Sequence, residues 1–174
     1  MRRLPRLLSL TLLFLSTALL LAACAPAPIF KPGSNIANVP PETVAQAPER
    51  YIGRAVIWGG QVVAVQNMPD TTEVQILGYP LDSSQRPLPN SPAGGRFIAI
   101  MKGYVEPLNY PAGALVTLTG HVEGVRVGSV GNASYAFPLV RVDAVHVWTA
   151  AELRSDKPHF SFGLGVGMRM GIIR

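Results

Sequence analysis

The stretch GRAVIWGGQVVAV, residues 53–65, decides which fold the sequence predicts. Every second residue from Val56 to Val62 is apolar or glycine, which is the two-residue period of a β-strand. Gly60 stands inside this run, and the step from Val62 to Val65 is three residues long and breaks the alternation. A glycine inside a strand and an extra residue each mark a bulge or a sharp bend. We therefore predict a long strand that bends near its middle.

The same spacing returns sixty residues later, with Gly120 in the place of Gly60 and a three-residue step after Val122. Gly and Pro punctuate this part of the chain, and no amphipathic helical period appears. Two long bent strands, first and fourth of five, predict an all-β fold, a small closed five-stranded barrel that is OB-like. A generic antiparallel sandwich and an incomplete barrel are the alternatives. The predicted strands are Ala55–Gln66, Thr72–Leu81, Arg96–Gly103, Leu115–Val127 and Ala136–Trp148.

The first residues of the chain have the composition of a secretory signal. Three arginines stand among residues 1–6 without an acid, residues 7–21 are almost wholly apolar, and small residues follow. These are the basic, apolar and cleavage regions of a signal peptide. The apolar run is shorter than the roughly 20 residues that span a bilayer, so a permanent transmembrane helix is the weaker interpretation.

The end of this signal, Leu21-Ala22-Ala23-Cys24, resembles the bacterial lipobox. The resemblance implies that a diacylglycerol is joined to the Cys24 thiol, that a peptidase cuts before it, and that the new amine is acylated. Two or three acyl chains anchor a protein stably, where one is only marginal. Ala25 comes next, and the resemblance implies sorting to the outer membrane of a Gram-negative bacterium. An ordinary secretory signal with a chance cysteine is the alternative.

The net charge gives no argument for a nucleic-acid partner. The chain has fifteen Lys and Arg against ten Asp and Glu. Three of the arginines leave with the signal, so the mature chain carries 12 − 10 = +2. Nucleic-acid binding of an electrostatic kind needs a much stronger basic surface, and we predict no nucleic-acid partner.

We divide the chain into four parts. These are a signal peptide at 1–23, a lipidated cysteine with a proline-rich tether at 24–50, an OB-like barrel at 51–148, and a short helix with a glycine-rich tail at 149–174. The tether has polyproline II character and would reach about 80 Å if it were fully extended. Within it, Pro41-Glu42-Thr43-Val44-Ala45-Gln46 predicts one short helical turn.

The region after the barrel carries two further patterns. Thr149 and Glu152 predict a capping box at the start of a short helix that ends near Arg154. From Phe160 to Ile172 apolar residues alternate with Gly, Ser and Arg, which favours extended structure. Such a segment would pack on the barrel, lie on the membrane or pair with the sheet edge of a partner. A loosely ordered tail is the alternative.

No combination of residues predicts catalysis or a metal site. The mature domain holds no P-loop, no GxSxG motif and no catalytic Cys–His pair, so we predict that the protein is not an enzyme. The histidines lack the spacing of metal ligands: they are His121, His146 and His159. Three acids could supply a glycosidic carboxylate pair but more simply belong to turns or solvated strand faces: Asp82, Glu106 and Asp143. Apart from the covalent lipid on Cys24 we predict no cofactor.

A ligand groove is the more plausible kind of site. OB-like barrels often bind polymers across strands two and three with aromatic and basic residues. The candidate ligand-binding residues in or near those strands are Tyr79, Arg96, Lys102 and Tyr104. In the periplasm the polymer would be a glycan or a peptide. The alternative is structural, with Tyr104 and the neighbouring Phe97 in the core and Arg96 serving a turn.

Several stretches, in this order, resemble the Slp family of outer membrane lipoproteins, the starvation-inducible group of enteric-type bacteria. They are VIWGG at 56–60, EVQILGYPLD at 73–82, RP at 86–87, GRF at 95–97, GYVEPLNY at 103–110, VTLTG at 116–120, YAFPLV at 135–140 and HVW at 146–148. The resemblance runs from the lipobox to Trp148; the tail is less typical. It implies a lipid-anchored protein made under starvation or stress, and it implies no catalytic residues. Trp58 would fill the barrel; a binding role for Trp58 is the alternative.

Three hypotheses for function follow from these patterns. The first is a non-enzymatic lipoprotein of the Slp type, anchored in the outer membrane through its N-terminal lipid and contributing to envelope integrity or to the starvation response. The second is a periplasmic glycan- or peptide-binding module. The third is an adaptor subunit that docks an envelope protein through the C-terminal tail.

Overall fold

The strands form where the alternating patterns predict them. We describe a computed structural model, which covers residues 27–31, 33 and 35–154. The predicted signal peptide, Cys24 and the tail from residue 155 lie outside the described residues. The strands within the described part are β1 (Ala55–Asn67), β2 (Thr71–Tyr79), β3 (Arg96–Lys102), β4 (Leu115–Val130) and β5 (Ala133–Val147).

The strands close into a barrel in the order β1-β2-β3-β5-β4, with β4 returning to β1. Strands β3 and β5 pair in parallel, and the other neighbours pair antiparallel. The OB-like five-stranded barrel is therefore confirmed, and the sandwich is not. Three boundaries differ from the prediction by more than one residue: the end of β2, the end of β4 and the start of β5. Strand β2 ends at Tyr79 because Pro80 has no N–H for the ladder, and the β4–β5 hairpin runs further, to a turn at Gly131.

Both predicted bulges are present at the three-residue steps. The register of β1 against β2 shifts between Val62 and Ala64, and that of β4 against β5 shifts between Val122 and Gly124. The register is also irregular between Thr119 and Gly120. These shifts bend the two longest strands.

The same steric constraint explains why Gly60 and Gly120 are both glycines. A Cβ on Gly60 would overlap the backbone carbonyl oxygen of Leu77, and a Cβ on Gly120 would overlap that of Arg141. At both positions the neighbouring strand therefore passes too close for any side chain. The internal repeat of the sequence is a repeated site of close backbone approach.

The core fills the barrel with the inward residues of every strand. Trp58 and Phe97 meet edge to face with ring centroids 5.1 Å apart, and Phe97 is fully buried. This arrangement is the structural role predicted for Trp58. Val56, Val62 and Leu118 are buried around them. Phe97 is thus a core residue, as the structural alternative had it.

The segment before β1 is packed on the barrel. Helix α1 (Pro41–Gln46) confirms the predicted helical turn, and its Val44 is fully buried in the core. The Ala37 amide donates to the Ala55 carbonyl at 2.8 Å, and the Glu42 amide donates to the Gly94 carbonyl at 3.0 Å. From Ile36 onward, the described part of the predicted tether is therefore part of the folded domain.

After β5 the predicted capping box is confirmed. The short helix α2 (Ala150–Arg154) follows Thr149, whose hydroxyl accepts the Glu152 amide at 3.2 Å while the Glu152 carboxylate accepts the Thr149 amide at 2.7 Å. Two short 3₁₀ turns complete the described elements, at Pro48–Arg50 and Pro107–Asn109.

Replacing Gly60 with Ala tests the close approach. We expect Gly60→Ala to lower the free energy of unfolding by about 3 kcal/mol, because the added methyl group forces two backbones apart. Urea unfolding of the purified protein measures the change. Gly33→Ala is the control, since a Cβ there meets no atom within 4 Å and should cost little. A Gly60→Ala protein as stable as the wild type would contradict this account of the bend.

Candidate functional site

A cavity of about 410 Å³ lies between the segment before α1 and the adjoining parts of β1 and β2. We call residues 36–40 the strap; this segment pairs with Ala55 of β1 at its start and leads into α1 at its end. The strap is held by the Trp58 indole, whose Nε1 donates to the Val39 carbonyl at 2.8 Å. The Ala37 amide contact holds its N-terminal end, and the Glu42 amide contact holds the chain just after its C-terminal end. The cavity lining consists of Asn38, Val39, Pro40, Pro41, Ile57, Trp58, Gly59, Tyr79, Pro80, Leu81 and Gly94.

Two sequence motifs meet in this cavity. Ile57-Trp58-Gly59 comes from β1, and Tyr79-Pro80-Leu81 comes from the end of β2, twenty residues later. The β1–β2 register places Gly59 opposite Tyr79. A Cβ on Gly59 would lie 2.8 Å from the backbone carbonyl oxygen of Val116 and equally close to the Leu81 side chain, so the close approach of β4 requires glycine here.

The chemistry of the lining favours an apolar ligand group. Pro40, Pro41 and Pro80 have no N–H to donate, and Val39, Ile57 and Leu81 present hydrocarbon; the Trp58 indole N–H is already used by Val39. Tyr79 and Asn38 carry the polar side chains of the lining. Binding pockets of this kind hold an apolar body and fix it with few polar contacts.

The four predicted ligand-binding residues fall at two ends of the β2–β3 pair. Tyr79 lines the cavity, and Arg96 begins β3, where its amide donates to the Tyr135 hydroxyl at 2.6 Å. Lys102 pairs with Thr71 at the other end of β3. Because a strand rises about 3.3 Å per residue, Arg96 and Lys102 stand about 20 Å apart.

Tyr104 lies beyond Lys102 and is 69% exposed, so it is not a core residue. Its hydroxyl donates to the Glu106 carboxylate at 3.1 Å, and this hydrogen bond raises the pKa of Tyr104. Tyr79 and Arg96 therefore lie at one end of the β2–β3 pair, and Lys102 and Tyr104 lie at the other. A ligand at any of the four residues stays a prediction.

A second groove lies under the part of the β4–β5 hairpin that extends past the β3–β5 pairing, residues 125–138, which we call the arm. Arg126 donates from both terminal nitrogens to the Glu73 carboxylate, at 2.7 and 2.9 Å. This pair ties the arm to the outer face of β2 over a groove of about 230 Å³ that Gln75 and Phe137 help to line. Nothing in the sequence pattern pointed to this pair, because its members are 53 positions apart.

Three other titratable residues lie close to a charged or hydrogen-bonding partner: His121, His146 and Asp82. His121 Nδ1 lies 2.9 Å from the Asp143 carboxylate, and His146 Nε2 lies 3.0 Å from that of Glu152. Asp82 shapes a turn by accepting from the Ser84 and Arg86 amides, both at 2.9 Å. Partial burial acts to raise the pKa of Asp82, but its hydrogen bonds with Ser84 and Arg86 outweigh burial and lower it.

Asp82 is therefore the turn residue that the structural interpretation predicted. Within residues 27–31, 33 and 35–154, no three His, Cys, Asp or Glu residues are placed to hold a metal ion. Among the helices of that same part of the chain, none has the length and apolar character needed to cross a membrane.

Comparison with known proteins gives a family match over most of the chain. The model of a family described as outer membrane lipoprotein Slp family matches residues 21–168. The lipoprotein YeaY of Escherichia coli K12 is 36% identical over 134 residues, which cover 75% of this chain and 68% of YeaY. The outer membrane protein Slp of the same organism is 32% identical over 143 residues, or 81% of this chain and 76% of Slp.

Among solved structures, Schizosaccharomyces pombe Pot1pC bound to single-stranded DNA covers 62% of this chain and 83% of its own, with 12% identity and a TM-score of 0.29. At that score the likeness carries no argument.

The Glu73–Arg126 pair predicts a pH-dependent stability. The hydrogen bond from Arg126 lowers the pKa of Glu73 below its ordinary value of 4.5, against an opposing effect of partial burial. A lowered folded-state pKa stabilises the fold above the unfolded pKa, and this contribution is lost as the pH falls through the folded pKa. We expect Glu73→Gln to cost about 1 kcal/mol at pH 7 and nothing once wild-type Glu73 is protonated.

Urea unfolding at pH 7 and at successively lower pH measures this difference. Glu123→Gln is the matched control, because Glu123 meets Arg141 only at 3.7 Å with both side chains well exposed. A cost for Glu73→Gln that stays constant at every pH, or that the control equals, would rule out the ion pair as the cause.

Proposed function

Because the chain belongs to the Slp family of outer membrane lipoproteins, we propose that a lipid on Cys24 holds it to the outer membrane. There it acts without catalysing a reaction and contributes to envelope integrity or to the starvation response. The observation that carries the proposal is the start of the family match at residue 21, so that the match includes Leu21-Ala22-Ala23-Cys24. The four residues that resemble a lipobox therefore lie inside the matched range.

The positions of the charged residues support a non-catalytic role. Glu73 forms an ion pair with Arg126, Asp82 stabilises a turn, and Glu152 caps α2. Each of these acids has a structural role in a different part of the domain. General acid–base catalysis instead requires titratable groups that converge on one bound substrate.

Replacing Cys24 tests the anchor. Cys24→Ser removes the sulfur that would receive the diacylglycerol, so we expect metabolic palmitate labelling to be lost and the protein to leave the outer-membrane fraction. Ala25→Ser is the control, since it changes the neighbouring residue, keeps the cysteine and should retain the label. A Cys24→Ser protein that is still labelled and still fractionates with the outer membrane would refute the anchor.

The cavity beside Trp58 supports a second function, the binding of an apolar segment of an envelope protein. Its lining is mostly aliphatic, whereas a sugar would need several hydrogen-bonding partners. Of the two polymers considered for the binding module, a peptide therefore fits this lining better than a glycan.

Site-specific photocrosslinking tests this second function. We expect benzoylphenylalanine in place of Tyr79 to give one discrete protein adduct in intact cells, because Tyr79 lines the cavity. The adduct should disappear when Asn38→Trp fills the cavity mouth. The same probe in place of Tyr104, which is exposed at the other end of β3, is the control. An adduct from position 104 alone would instead place the binding surface beside Lys102.

A further inference from the structure

Gln85, in the loop after β2, forms hydrogen bonds with Phe30, which is close in sequence to the predicted lipid on Cys24. The Phe30 amide donates to the Gln85 side-chain oxygen at 2.8 Å, and the Gln85 side-chain nitrogen donates to the Phe30 carbonyl at 2.9 Å. Gln85 has a φ of 68°, and it is the non-glycine residue with positive φ in the described part of the chain. We call this pair of hydrogen bonds the clamp.

The clamp is fixed to the barrel wall. The buried Thr117 hydroxyl donates to the Gln85 carbonyl at 2.7 Å and accepts from the Trp148 indole at 2.9 Å. Val116 and Leu118 point into the core, so strand alternation directs Thr117 outward. The clamp therefore sits on the outer side of β4.

The clamp leaves little chain between the barrel and a lipid on Cys24. Phe30 is six residues after Cys24, and six extended residues span at most about 20 Å. A folded domain of about 120 residues has a radius of gyration of about 14 Å and is roughly 35 Å across. The domain is thus wider than its link is long, and it cannot turn an arbitrary face to the membrane.

We propose that the surface beside the clamp rests on the bilayer. This surface, the flank, is a groove of about 610 Å³ formed by the loop at Leu88–Ser91, by Leu115 and by α2 with Leu153 and Arg154. Leu153 and Ile29 are each 36% exposed, and Arg154 is exposed at the groove. Apolar side chains next to a cation suit the boundary between lipid headgroups and acyl chains.

The opposite side of the domain then faces away from the membrane. In the barrel order, β4 lies across from β2 and β3. The arm is tied to the outer face of β2 through Arg126, and its Val127 is 73% exposed. This orientation rests on the proposed lipid at Cys24, because the lipid is what brings Phe30 near the bilayer.

Depth-dependent quenching of a single fluorophore tests the orientation. Cys24 is the only cysteine and its sulfur would be blocked by the lipid, so an introduced cysteine is the only thiol that bimane labels. Asn90→Cys places bimane on the flank, and Val127→Cys places it on the arm as the matched control; both native side chains are exposed. The lipidated full-length proteins are reconstituted in phosphatidylethanolamine and phosphatidylglycerol vesicles that contain headgroup-nitroxide lipid.

We expect at least twofold stronger quenching at position 90 than at position 127. Gln85→Gly, which tolerates the positive φ but removes both clamp bonds, should abolish this difference. Equal quenching at the two positions, stronger quenching at 127, or a difference that survives Gln85→Gly would overturn the proposal. Failure to float with the vesicles would instead contradict the lipid anchor, so the two failures are distinguishable.

Discussion

The close passage of backbones at Gly60 and Gly120 is the constraint on which the rest of the structure depends. At each position a neighbouring carbonyl occupies the place of a side chain, and a bulge follows two to four residues later. Bends of this kind let only five strands close into a barrel, because a long bent strand can pair with a different neighbour on each side of its bend. Closure then buries Phe97 against Trp58 and pairs the strand edges that an open sheet would expose.

The barrel depends in turn on the segment before its first strand. Val44 and Ala37 belong to the same buried cluster as the strand residues, and the Trp58 indole binds the Val39 carbonyl. A proline-rich segment is well suited to this, since proline loses little conformational freedom when it is fixed. The strap therefore completes the core and builds one wall of the cavity. The distance between the proposed lipid on Cys24 and the domain follows from where this segment is bound and not from its proline content.

Much of the fold could be predicted from local patterns in the sequence. The strands, both bulges and the Thr149–Glu152 capping box depend on residues close together in the chain, and alternation or spacing reveals them. The packing of the strap on the barrel is not predicted from the sequence, because the proline-rich composition of residues 24–50 is typical of a tether. For the site, β2 and β3 were correctly placed side by side, but only the register shows that Arg96 and Lys102 stand at opposite ends. The Glu73–Arg126 pair and the clamp join distant positions, which no local pattern encodes.

The cavity and the clamp both use the N-terminal segment, yet different contacts hold them. The strap is fixed by Trp58 and by the burial of Val44, whereas the clamp consists of two hydrogen bonds to Gln85. Losing the clamp would leave the core intact, because Phe30 and Gln85 are not among the buried core residues. Losing the strap would expose part of the core and remove a cavity wall. The distance of the domain from the proposed lipid is therefore separable from the shape of the cavity, and a substitution can change either one alone.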